Sequence, residues 1–123
     1  MRYLTDRKRA EGKGAAHQGT EIHKHMTATG IGMAFLMPAF LYIFGHALGQ
    51  GYEGVVATFS RPIPAIVTGL VFFLAMRHFP HGAGSVLIDY TKGKARRLLT
   101  IFVVSLSYLI MATVLYALVR IAH

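Results

Sequence analysis

The stretch PAIVTGLVFFLAMRHFPHGAGSVLIDY, residues 64–90, decides the fold. Residues 63–76 are apolar but too few to cross a bilayer alone. Arg77, His78 and His81 then interrupt the run, and residues 82–88 are apolar or small again. The first strong stop is Asp89-Tyr90, followed by Lys92. As one helix, residues 64–90 rise roughly 40 Å, against a hydrocarbon core about 30 Å thick. The stretch therefore reads as a single membrane span with a polar patch at mid-depth. Pro80 removes the backbone donor to the Met76 carbonyl, which predicts a kink at that patch.

Two further spans flank it. Residues 26–48 contain no Asp, Glu, Lys or Arg. Pro38 is expected to bend this helix, and Ala28, Gly30, Gly32 and Ala34 offer a surface for close helix contact. Residues 98–119 are uniformly apolar apart from hydroxyls such as Ser105, Ser107 and Thr113. Residues 49–62 read as a glycine-rich loop, with Pro62 and Pro64 opening the helix that follows. Residues 1–25 read as a polar arm whose end, Glu21 to His25, reaches the headgroup layer. The expected fold class is all-α: an arm over residues 1–25, then a bundle of three transmembrane helices over residues 26–123.

The composition agrees. The chain has 123 residues, of which 54% are hydrophobic and only 15% charged, and its mean hydropathy is +0.47. That charge is too sparse for the wetted surface of a soluble domain. The net charge of +8 does not point to nucleic acid, because the basic residues cluster between apolar runs. Six of the thirteen Lys and Arg precede Met26, and four lie between Lys92 and Arg97. Arg61, Arg77 and Arg120 stand alone. The positive-inside rule places the arm and the second loop in the cytoplasm. The lack of cysteine excludes disulfides, thiolate metal sites and a cysteine nucleophile. No catalytic triad, phosphate loop or zinc spacing is present. No cleavable signal peptide is visible, and the acidic residues of the arm make a poor transit peptide; a bacterial membrane is expected.

Ionisable groups inside a membrane mark function by default. A neutral imidazole such as His78 can ligate a metal or a haem iron. The small residues Gly82, Ala83, Gly84 and Ser85 would let a flat macrocycle lie against the backbone. Asp89 is eleven residues after His78, which returns almost to the same helix face about 16 Å further along. Tyr90 beside it offers a phenol donor. The bland readings stand alongside. His78 could serve only as a hydrogen-bond partner of a neighbouring helix, Arg77 could snorkel, and Asp89-Tyr90 could be an ordinary helix end. His81 is a rival to His78. His23, His25 and His46 suit headgroup contacts.

Three blocks carry a resemblance: GTEIHKHM (residues 19–26); YEGVV (52–56) with SRPIPAIV (60–67); and His78, Gly82 and VLIDY (86–90). In this order, with the three-helix layout, the chain resembles the small hydrophobic membrane-anchor subunits of bacterial succinate dehydrogenase, the D-type anchors of respiratory complex II, and among them the alphaproteobacterial members. The resemblance implies a non-catalytic subunit of the bacterial inner membrane. Such a subunit tethers a flavoprotein and an iron–sulfur protein, and shares a haem b with a cytochrome b-type partner anchor. By position in the family, His78 is the axial ligand of the haem iron and Tyr90 the hydrogen-bond donor to ubiquinone, with Asp89 in the quinone neighbourhood. The sequence departs from the family at Phe79-Pro80-His81, at Ser85, at Ile88 and at Lys24. Two alternatives accompany this reading: a cofactor-free accessory subunit of another respiratory complex, and a small transporter subunit.

Overall fold

The computed structural model describes residues 5–10 and 19–123. In chain order its elements are α1 (Asp6–Ala10), α2 (Gly19–Leu48), α3 (Gly51–Phe59), α4 (Pro62–Tyr90) and α5 (Gly93–Ala122). Among the described residues there is no strand. Three helices, α2, α4 and α5, are long and apolar enough to cross a membrane. With 30, 29 and 30 residues, each rises roughly 45 Å, more than a hydrocarbon core of about 30 Å. The described residues form the expected all-α class with three long apolar helices.

The boundaries differ in instructive ways. α2 starts at Gly19, so the polar run Glu21 to His25 continues the first spanning helix rather than preceding it. The expectations for residues 1–4 and 11–18 of the arm lie outside the described residues. α5 starts at Gly93, so the basic residues Lys94, Arg96 and Arg97 sit on its first turns. The stretch 49–62, expected to be a loop, contains helix α3. Gly51, at φ +72°, turns the chain out of α2. Tyr52, Val55, Val56 and Phe59 then recur at helical spacing, a pattern that the glycine content obscures. Phe59 is buried, with its ring 6.4 Å from that of Phe44.

Proline opens α4 at no cost, because the first turn has no partners for its N–H groups. Arg61 is the N-cap, and its carbonyl accepts from Ala65 N–H at 3.2 Å. Pro38 and Pro80 both lie inside unbroken helices.

α4 packs between α2 and α5, and α3 closes one end of the bundle against all three. The contacts rely on small residues. A Cβ added at Gly32 would sit 2.8 Å from Leu74 Cδ1, and one at Gly69 would sit 3.7 Å from Leu115 and Leu118. Phe40 meets Phe72 edge-on at 5.8 Å. The intrachain core is nevertheless thin. Ala47, Phe59 and Val71 are its buried apolar residues, while Phe35 is 78% exposed. So much uncovered apolar surface suits lipid and partner helices, not water.

Candidate functional site

α2 runs antiparallel to α4, which brings Thr29 and Gly30 level with His78, and His25 level with Arg77 and His81. The Thr29 hydroxyl is buried. It donates to the His25 carbonyl at 2.7 Å, the usual back-bond of a helical threonine. A carbonyl can only accept, so this contact takes the single hydroxyl proton. His78 Nδ1 lies 2.9 Å from the same oxygen. With that proton given to the carbonyl, the contact assigns the donor role to Nδ1, and so the Nδ1–H tautomer to a neutral His78. Its Nε2 then carries the lone pair, and no described residue hydrogen-bonds that atom. At Cε1, the ring carbon between the two nitrogens, a Cβ added at Gly30 would lie 3.7 Å away.

The rival histidine has a different environment. His81 sets its ring against His25 at 5.0 Å in an edge-on arrangement, and with Arg77 and Tyr108 it lines a cavity of about 230 Å³ between α4 and α5. His25 Nε2 donates to the Arg77 carbonyl at 3.3 Å. The Arg77 guanidinium is exposed and has no hydrogen bond to a described residue. His78 is held at one nitrogen, whereas His81 is held by ring packing alone. His25, read from the sequence as suited to headgroup contact, also turns onto α4. His46, by contrast, stays near the end of α2, where it bonds Gln50 at 2.9 Å and stacks on Tyr42.

One helical turn beyond His78 the surface is open. A Cβ added at Gly82 or at Gly84 would meet nothing within 4 Å. A free imidazole nitrogen beside a bare stretch of backbone fits a flat macrocycle with a single protein ligand on this side. Among the described residues, no group of three or more His, Asp or Glu could enclose a bare metal ion.

Asp89 and Tyr90 occupy the last turn of α4 and are exposed, Tyr90 at 85%. This end is clamped from α5. Arg96 Nε donates to the Thr91 carbonyl at 2.9 Å, and an Nη donates to the Ile88 carbonyl at 2.8 Å and also to Thr91 O. These acceptors bracket Asp89 and Tyr90. A guanidinium at a helix C-terminus satisfies orphan carbonyls and complements the macrodipole. Sequence reasoning singled out His78, Asp89 and Tyr90 but missed Thr29 and Arg96. Thr29 carried a weak signal, as one of the two threonines, with Thr27, at the start of the apolar first span. Arg96 looked like one more basic residue of a cytoplasmic cluster.

Comparison with known proteins gives the family of the chain. Residues 1–117 match the family described as succinate dehydrogenase/fumarate reductase transmembrane subunit. The chain is 39% identical over 120 residues to the succinate dehydrogenase hydrophobic membrane anchor subunit of Paracoccus denitrificans, covering 98% of this chain and 93% of that one. No solved structure matches. The family match and the near full-length identity together establish that this chain belongs to the succinate dehydrogenase/fumarate reductase transmembrane subunits.

Proposed function

We propose that the chain is the hydrophobic membrane anchor of a bacterial succinate dehydrogenase, a multi-pass inner-membrane subunit that helps bind a b-type haem and ubiquinone. The observation that carries the anchor role is the relationship to an anchor subunit over 98% of the chain. The anchor itself oxidises nothing. Its apolar helices hold a flavoprotein and an iron–sulfur partner at the membrane, and its uncovered helix faces pack against a second, cytochrome b-type anchor.

Orientation follows from charge. Ten of the thirteen Lys and Arg lie in the arm and around the α4–α5 turn, which favours the cytoplasm for both. The Asp89-Tyr90 end of α4 then faces the cytoplasm, where the soluble partners would deliver electrons.

His78 would hold the haem through Nε2, the nitrogen left free when Nδ1 bonds Thr29. Gly82, one turn on from His78 and on nearly the same face, leaves room for the ring beside α4. When bound, the haem supplies a one-electron centre of tunable potential inside the membrane. Tyr90 donates its phenol proton in a hydrogen bond to a quinone carbonyl, and Asp89 adds a carboxylate beside it. Both lie at a helix end exposed to a partner, where a lipid-soluble carrier can enter.

The test is the absorption spectrum of the purified complex. His78→Ala should lose the haem b bands, and His81→Ala should keep them. The opposite pattern would assign the ligand to His81.

A further inference from the structure

We infer that the Thr29 hydroxyl is a positioning group for haem ligation: it holds His78 as the Nδ1–H tautomer and so presents the Nε2 lone pair. The inference rests on the reading of His78 as the ligand and adds a residue from a different helix to that site.

The geometry supplies a directed chain of hydrogen bonds. Thr29 Oγ1 gives its proton to His25 O at 2.7 Å and accepts from His78 Nδ1 at 2.9 Å. Because the hydroxyl already donates to a carbonyl, its oxygen is a better acceptor for the imidazole N–H. Thr29 is 6% exposed, so water competes poorly for either bond. Gly30, next to Thr29, carries no side chain toward the ring: a Cβ there would reach to 3.7 Å of His78 Cε1. An imidazole whose second nitrogen donates to a fixed acceptor is oriented, and is also a more basic ligand. More electron density at the iron favours the ferric state and lowers the reduction potential. Thr29 therefore acts on the haem without touching it.

The experiment uses the intact four-subunit complex with Thr29→Val, Thr29→Ser and His78→Ala, read by haem content and redox titration of the haem bands rather than by turnover. Thr29→Val keeps the shape of the side chain and removes the acceptor. It should raise the haem midpoint potential and weaken haem retention on the order of tenfold, the usual scale for such supporting groups. Thr29→Ser restores the hydroxyl and should return both values to those of the native complex. If Thr29→Val does not assemble, Thr29→Ala carries the same expectation. Native potential and retention in the valine or alanine variant, with haem lost in His78→Ala, would overturn the role of Thr29 alone. A serine variant as impaired as the valine one would also overturn it, because the hydroxyl would not be the active element. Haem fully retained in His78→Ala would instead overturn the ligand reading, and this inference with it.

Discussion

Replacing Arg96 with glutamine tests whether the exposed end of α4 is built to be held still. Asp89 and Tyr90 lie between the two carbonyls that Arg96 engages, Ile88 O and Thr91 O. Hydrogen bonds from a charged donor contribute about 1.5–3 kcal/mol each when well shielded. Arg96 is only half-buried and the Ile88 carbonyl is exposed, so screening reduces the pair to roughly 1–2 kcal/mol in all. Since about 1.4 kcal/mol is tenfold, the balance between an ordered and a frayed last turn shifts about 5- to 30-fold. Apparent quinone affinity falls only with the ordered fraction, and that fraction begins near one. With about nine-tenths of the ends ordered at the outset, the expected result is a rise in the ubiquinone KM of about 1.5- to fourfold. Succinate oxidation by an artificial dye, which bypasses the membrane site, should be unchanged. Arg96→Lys, with a point donor instead of a fork, should fall between. A native KM in Arg96→Gln, at normal levels of assembled complex, would refute the clamp.

Tyr90→Phe removes one neutral hydrogen bond, worth about 0.5–1.5 kcal/mol. Quinone reduction should drop several-fold while dye reduction holds, and equal activity in both assays removes Tyr90 from the site. Gly82→Leu should leave the fold of the anchor itself intact, because nothing in the chain lies within 4 Å of a new Cβ, yet the complex should carry less haem. Native haem content would show that no ring lies there. The chain contains no cysteine, so single introduced thiols report topology cleanly. With an impermeant reagent added outside intact spheroplasts, Tyr52→Cys should label and Lys94→Cys should not, and the reverse would invert the proposed orientation.

The spans were legible because a bilayer imposes one dominant requirement, a long apolar helix, and residues 26–48, 64–90 and 98–119 each meet it. The polar patch of α4 was legible for the same reason, since Arg77, His78 and His81 stand out against apolar neighbours. α3 was not, because its glycines outweighed the spacing of Val55, Val56 and Phe59. Nor could spacing separate His78 from His81: they differ by three residues on one helix, and only the contacts from α2 set them apart. Thr29 and Arg96 act across helices, through a hydrogen bond 49 residues away in sequence and a fork onto the end of another helix. Periodicity along one helix carries no information about such partners.

The two halves of α4 do different work. Toward its start, α4 packs by shape: Phe72 meets Phe40, Gly69 admits Leu115 and Leu118, and Val71 is buried. Toward its end, it is tied by polar groups instead, from His25 and Thr29 on α2 and from Arg96 on α5. Gly82 and Gly84 contribute no packing there within the chain. A helix segment with little apolar contact and two glycines has low intrinsic stability. The polar ties fix its position without filling the space beside it. Whatever fills that space, a macrocycle and a partner helix on the present reading, supplies the missing contacts and stabilises this half by its own binding. Substitutions early in α4 should therefore lower the amount of anchor in the membrane. Substitutions from Arg77 onward should leave the amount largely intact and change what the anchor holds.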